Sequence, residues 1–298
     1  MSQRPEFSPA PGSTTIKVVL NQAERFLQRN DGQTARLDAE ILLGFVLGIE
    51  RSRLVIEADT KLENDEAEAF NGLVNKRAKH EPVAYLTGAK EFWSMSFKVD
   101  PRVLIPRPDT ETVLELVQEL FQTHKPCRFV DVGCGSACIA CGLASLFARV
   151  SGVAVDRAEG ALSVAKQNIQ NHGLSARVET RLGDLLEPVS HERFDIICAN
   201  LPYIPTAALD DLPLDIKLYE PLTALDGGVD GLDCIRRLIS QAPANLDYQG
   251  WLIMEVGAGQ ADQVDQLCSR AGLVEIQRHK DLSGIERVVA AQWLLKPQ

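Results

Sequence analysis

Apolar residues along the first ~80 positions recur with helical period. Ile16, Val19, Leu20, Ala23 and Leu27 fall on one helical face. Leu37, Ile41 and Phe45 recur at i+4 and predict a second stripe, widened by Leu42 and Val46. Residues 63–79 predict a charged surface helix that turns Phe70, Leu73 and Val74 inward. The period then changes. Glu91-Phe92-Trp93-Ser94-Met95-Ser96-Phe97-Lys98-Val99 is aromatic and partly alternating, which predicts a strand or hairpin. Pro101, Pro106 and Pro108 punctuate the chain before another apolar helix, 113–121, opened by Thr110 and Glu111. From residue 128 onward, short apolar runs alternate with helical patterns. The expected strands are 128–132, 152–155, 177–181, 194–199, 251–256, 274–278 and 287–292.

This alternation predicts a doubly wound α/β sheet of seven mostly parallel strands, preceded by a small all-helical domain. The expected division is a disordered tail over 1–13, a helical domain over 14–85, a strand or hairpin linker over 86–105, and the sheet domain over 106–298. Ligands in such sheets bind beyond the carboxyl ends of the strands, near the topological switch point.

Composition narrows the setting. The 298 residues are 45% hydrophobic and 24% charged, ordinary for a globular protein. No apolar run approaches the roughly 20 residues of a membrane helix. The polar, Pro- and Ser-containing N-terminus lacks a signal-peptide core, so a cytoplasmic protein is expected. A net charge of −10 argues against broad nucleic-acid binding, which needs a basic surface. Seven cysteines, an odd number, several in apolar patterns, favour reduced core thiols over a disulfide framework.

The candidate chemistry follows the strand ends. Gly133-Cys134-Gly135-Ser136-Ala137 lies after the first strand and opens a helix, where glycines let the backbone turn and approach a ligand. The full dinucleotide fingerprint fails, because Cys138 stands at the third glycine position. Asp156 ends the next strand, about 20 residues on, where an acid accepts ribose hydroxyls. Gly183-Asp184 follows the third strand, at a position suited to an adenine amino group, with Leu185 beside it. Asn200-Leu201-Pro202-Tyr203 closes the apolar run 194–199. There the Asn200 side-chain oxygen and the Leu201 carbonyl can accept the two hydrogens of a planar nitrogen, and the Tyr203 ring can pack on its flat face. The bland alternative makes the glycines tight turns, the acids helix caps and 200–203 a strand-end turn. Four features after successive strands favour one crevice, and together they resemble the S-adenosylmethionine-dependent methyltransferase fold.

Other patterns carry less. Cys134, Cys138 and Cys141 have the C-x3-C-x2-C spacing of an iron–sulfur triad, but Cys138 and Cys141 sit in an apolar helical run, so core thiols are expected and no metal. Arg107, Asp109 and Glu111 fit either a Pro-led helix start or direct cofactor contact. The segment 226–233 is rich in Gly and Asp but fails calcium-loop spacing, and predicts a turn before a helix.

PVAYLTGAKEFW (82–93), IPRPDTE (105–111), DVGCGSA (131–137), NLPYIP (200–205), EPLTALDGGVDGLD (220–233) and EVGAGQ (255–260) occur in that order. With them the chain strongly resembles the peptide chain release factor glutamine methyltransferases over about residues 15–295. The resemblance implies methyl transfer from S-adenosylmethionine to the side-chain nitrogen of the glutamine in the Gly-Gly-Gln motif of class 1 release factors. It implies cofactor contacts at Gly133, Gly135, the backbone to Ala137, Asp156 and Asn200, and a glutamine held by residues 200–203 with Asn200, Pro202 and Tyr203 as the catalytic set. It further implies a substrate-recognition role for the helical domain. Two positions depart from the family pattern: Leu201 where Pro is usual, and Ala137 where a third Gly is frequent. The competing readings are an adenine-N6 methyltransferase on RNA or DNA, a glutamine methyltransferase on a ribosomal protein, and a binding module that keeps the cofactor but not catalysis.

Overall fold

The computed structural model describes residues 6–8, 15–30, 34–121 and 128–295. The chain divides into two compact units, one of residues 1–88 with 213–219, the other of 89–212 with 220–298. The expected tail over 1–13 lies outside the described residues except at 6–8. There the expectation is corrected: Phe7 is buried, and its N–H donates to Asn75 Oδ1 at 2.7 Å. Its ring lies 5.3 Å from Phe26 and 6.2 Å from Phe70, centroid to centroid. An aromatic side chain in a polar segment found an apolar cleft, which local composition does not reveal.

In the first unit, α1 (Ile16–Gln28) buries the face its spacing predicts, Ile16, Val19, Leu20, Ala23 and Leu27. The second helix, α2 (Ala35–Leu47), corrects the expected stripe. It buries Ala35, Ala39, Leu42 and Leu43, while Leu37 and Phe45 are exposed. The helix is apolar nearly all round, so periodicity does not choose its face, and small alanines allow close approach of neighbouring helices. Then come α3 (Arg51–Ile56), α4 (Asn64–Arg77) and α5 (Val83–Thr87). The start of α4 carries a capping box between Glu63 and Glu66. Its Phe70 and Val74 are fully buried. The short helix α9 (Leu214–Tyr219), distant in sequence, belongs to this unit, where Tyr219 Oη donates to the Lys79 carbonyl at 3.0 Å.

The second unit opens on a hairpin, β1 (Ala89–Phe92) and β2 (Met95–Lys98). Trp93 and Ser94 turn it with positive φ, and the Trp93 N–H is anchored on Glu111 Oε1 at 2.8 Å. Helix α6 (Glu111–Leu120) follows. The sheet strands are β3 (Arg128–Val132), β4 (Ser151–Asp156), β5 (Val178–Leu182), β6 (Phe194–Ala199), β7 (Leu246–Glu255), β8 (Val274–Lys280) and β9 (Glu286–Gln292). Among the described residues they form one seven-stranded sheet in the order β5-β4-β3-β6-β7-β9-β8. Strands β3 to β7 run parallel, and β9 is antiparallel to both β7 and β8. The doubly wound α/β class and the preceding helices are those the sequence predicts. The order reverses at the β3–β6 pair, which puts the switch point between the glycine turn and Asn200.

Period-two alternation assigns the two faces. Phe129, Ala154, Ile196, Cys198 and Ile253 pack with α6, α7 (Cys138–Leu146) and α8 (Glu159–Asn171). Val130, Val132, Val155, Ile197 and Leu252 pack with α10 (Asp233–Asn245) and α11 (Ala261–Arg270). Covering both faces is what lets β6 be apolar at nearly every position. No helix among the described residues is long and apolar enough to cross a membrane.

Candidate active site

The carboxyl ends of β3, β4 and β6 open into one cavity of about 1020 Å³, counted out to open solvent. Its wall takes Gly133, Cys134, Gly135 and Ser136 from the glycine turn and Asp156 from the end of β4. It takes Asp184 and Leu185 after β5, and Asn200, Leu201 and Pro202 after β6. Ala137 and Tyr203 are not part of that wall.

The glycine turn is held from below. Gly133 and Cys134 both donate N–H groups to the Val155 carbonyl at 2.9 Å, and Gly135 N–H donates to Asp156 Oδ2 at 2.9 Å. The other oxygen, Oδ1, accepts from Ala158 N–H at 2.9 Å. Each carboxylate oxygen keeps a second lone pair, so Asp156 can still accept ligand hydroxyls. A Cβ on Gly135 would meet no heavy atom within 4 Å, so the backbone there faces open space. Ala137 follows the left-handed path a glycine would take, with φ 62°. At the rim of the cavity the Asp184 carboxylate pairs through Oδ2 with Arg237 at 2.5 Å. Behind the turn, Asp131 is buried with Oδ1 unpartnered among the described residues, and burial lifts its pKa to about 7.

The cysteines behave as core residues. Cys138 and Cys141 lie inside α7, and both are buried. Burial pushes the Cys138 thiol up to about 12 and raises Cys141 and Cys134 as well, the reverse of what a metal thiolate needs.

Asn200 is gripped by two elements. Its Nδ2 donates to Glu255 Oε2 at 2.8 Å and to Thr110 Oγ1 at 3.1 Å. Thr110 Oγ1 in turn donates to Glu255 Oε2 at 2.5 Å. Both amide hydrogens are thus used, and Oδ1 has no protein partner among the described residues. The Leu201 carbonyl has none either. Tyr203 is tied at both ends: its hydroxyl donates to Glu255 Oε1 at 3.2 Å, and its carbonyl accepts from Gln260 Nε2 at 2.9 Å. Burial and the neighbouring Glu255 raise the Tyr203 pKa, so the phenol stays protonated. The Leu201 side chain is buried against the glycine turn, 2.9 Å from where a Gly133 Cβ would stand.

Arg107 and Thr110 line the cavity, whereas Asp109 and Glu111 do not. Arg107 pairs with the buried Glu220 at 2.5 Å, which ties the 105–111 segment to the 220–233 segment. Sequence reasoning placed Thr110 at a helix start and Glu255 in a family motif, but gave neither a role on Asn200. One signal was present: Glu255 is a lone acid in the apolar run Trp251-Leu252-Ile253-Met254-Glu255-Val256, and a buried carboxylate demands partners.

Residues 19–88 match the PrmC N-terminal domain family, and residues 123–215 match a methyltransferase domain family. The chain is 40% identical over 292 residues to the release factor glutamine methyltransferase of Geobacter sulfurreducens, covering 98% of this chain and 99% of that protein. It is 41% identical over 258 residues to that of Moorella thermoacetica, covering 87% and 91%. Among solved structures, the hMettl16 catalytic domain in complex with the MAT2A 3′UTR hairpin 6 superposes with a TM-score of 0.57 at 17% identity, over 74% of this chain and 82% of that one. That likeness shows the fold alone. The long alignments at about 40% identity show more: this chain belongs to the release factor glutamine methyltransferase family.

Proposed function

We infer that this protein transfers a methyl group from S-adenosylmethionine to the side-chain N5 of the glutamine in the Gly-Gly-Gln motif of class 1 peptide chain release factors. The observation that carries the reading at the site is the state of Asn200: both its amide hydrogens are taken by Glu255 and Thr110, leaving Oδ1 as an acceptor.

The bound cofactor supplies an electrophilic methyl on a sulfonium, which needs no acid activation. The glycine turn, with Gly133, Cys134, Gly135, Ser136 and the backbone to Ala137, would cradle it, Asp156 would accept its ribose hydroxyls, and Asp184 and Leu185 would flank its adenine. An amide nitrogen is a poor nucleophile because its lone pair is delocalised into the carbonyl. The chain's task is therefore orientation and placement of partial charge. Asn200 Oδ1 and the Leu201 carbonyl each accept one hydrogen of the glutamine amide and keep lone-pair density on its nitrogen. Pro202 fixes φ and stiffens the loop, and Tyr203 packs beside the amide plane. A new N–C bond replaces the S–C bond, and the nitrogen then loses one proton to solvent. Leu201 stands where the family usually has Pro, but its working atom is a carbonyl that either residue supplies. The helical unit recognises the protein substrate. The setting is cytoplasmic, and the acidic balance speaks against nucleic acid as a direct partner.

A tritiated-methyl transfer assay tests the reading. It offers a release factor, that factor with its Gly-Gly-Gln glutamine replaced, a ribosomal protein and RNA side by side. Label is expected on the intact release factor alone; label on RNA only would move the reading to adenine. Asn200→Ala is expected to lose most transfer, on the order of 100-fold, while still binding cofactor. Full methylation by that variant would remove Asn200 from the mechanism.

A further inference from the structure

A side-chain amide is nearly symmetric in shape, so its oxygen and nitrogen exchange places by a simple flip unless neighbours forbid it. Glu255 is the last residue of β7 and is only 1% exposed. Its carboxylate receives three donors, from Thr110, Asn200 and Tyr203. An ionised carboxylate has only acceptor sites. Were Asn200 flipped, Oδ1 would stand against Glu255 Oε2, lone pair to lone pair, in a site screened from water. In the observed orientation the same contact is a charge-assisted hydrogen bond. Thr110 adds to the bias, because its hydroxyl donates to Glu255 and so offers Asn200 a lone pair.

We propose that Glu255 is a positioning residue: its charge fixes which end of the Asn200 amide faces the substrate, and its second oxygen holds Tyr203 in register. The proposal deepens the glutamine methyltransferase reading and rests on it for the identity of the substrate. The charge is the working property. A glutamine at 255 has both a donor and an acceptor end, so it would satisfy either orientation of Asn200 and remove the choice.

The surroundings give a pH signature. Burial raises the Glu255 pKa, the Thr110 and Tyr203 hydrogen bonds and Arg287 on β9 lower it, and Asp109 raises it. Cys138 on α7 also feels this carboxylate. The net shift is upward. As pH falls through that raised value Glu255 becomes neutral, and transfer declines at a pH above the ordinary carboxylate range.

The test compares the full-length wild type with Glu255→Gln. In nitrogen-resolved NMR, the Asn200 side-chain amide is identified by its loss in Asn200→Asp. Its hydrogens are expected to exchange about tenfold or more faster in Glu255→Gln, the loss of one charge-assisted hydrogen bond. With release factor as substrate, kcat is expected to drop on the order of 100-fold and the acidic limb of the rate profile to vanish. Affinity for S-adenosylhomocysteine, by calorimetry, is expected to stay within about threefold, under ~0.7 kcal/mol. Unchanged exchange of the Asn200 amide would overturn the proposal. So would a loss of activity that only tracks a lower Tm and weaker cofactor binding. The NMR measurement needs no substrate. If the wild type fails to label a release factor while Asn200 exchange still depends on Glu255, the substrate reading fails and the positioning role stands.

Discussion

Asp131 shows how one buried atom sets a pH dependence. It is the penultimate residue of β3, 1% exposed between Val130 and Val132, accepts one hydrogen bond from Ala140 N–H at 3.0 Å, and leaves Oδ1 without a partner among the described residues. Desolvation dominates, with a smaller push from Asp156, and the folded-state pKa rises to about 7. A raised folded pKa means the folded state binds the extra proton, so the contribution is fully present below the unfolded carboxylate value and lost as pH climbs to about 7. Urea titrations of the wild type should therefore show stability declining from pH 4 to pH 7. Asp131→Asn removes the titration and should flatten that slope, ending more stable than the wild type at pH 8. Parallel slopes for the two proteins would assign the pH dependence elsewhere. Ala137 makes a related local point. A left-handed residue with a Cβ costs roughly 1–2 kcal/mol, and the turn keeps this path all the same because α7 and the Cys134 carbonyl hold it.

At the scale of elements, the 200–203 loop is shaped by two segments remote in sequence. Residues 225–233 run beside its end: Ile204 N–H donates to the Leu225 carbonyl at 3.0 Å, and Gly227 N–H to the Ile204 carbonyl at 2.8 Å. This packing leaves no room for a side chain. A Cβ on Gly227 would stand 2.7 Å from the Pro202 carbonyl oxygen and 2.6 Å from that of Gly231. Both obstacles are backbone, so the loop itself must move. Gly227→Ala should raise the KM for release factor about tenfold or more, since a misplacement of 1 Å is worth up to ~100-fold. Cofactor affinity should hold, because the glycine turn and Asp156 are braced separately. An equal loss in both would mean that the two halves of the cavity move as one. From the other side, Gln260 at the entry to α11 reaches back to the Tyr203 carbonyl. The sequence shows 226–233 as a turn, which it is. It does not show what the turn leans on.

For the whole molecule, the layered core governs which groups solvent can reach. Of the six described cysteines, five are buried and only Cys234, at the start of α10, is partly accessible. Cys234 also lines the cavity, and burial raises its pKa, so its alkylation should quicken as pH rises. Mass-spectrometric mapping of native protein should find Cys234 modified and Cys134, Cys138, Cys141, Cys198 and Cys268 spared, with cofactor slowing Cys234. Cys127 lies outside the described residues. Rapid native modification of Cys198, at the heart of β6, would contradict the two-faced packing of the sheet.

The sequence by itself determined the fold class. The strand ends that carry the glycine turn, Asp156, Asp184 and Asn200 follow from local period and punctuation, because a doubly wound sheet obeys a small set of connection rules. It also determined the face of α1, where apolar and polar positions separate cleanly. Only the tertiary structure decided the face of α2, where they do not, and the docking of Phe7. It alone decided the partners of the site: Glu255 and Thr110 on Asn200, Gln260 on Tyr203, Glu220 on Arg107, Arg237 on Asp184. Those pairs are separated by 53 to 113 residues along the chain. Periodicity reports how each element meets the core, but hydrogen bonds between strand ends depend on which strands become neighbours, and that is settled only when the sheet closes.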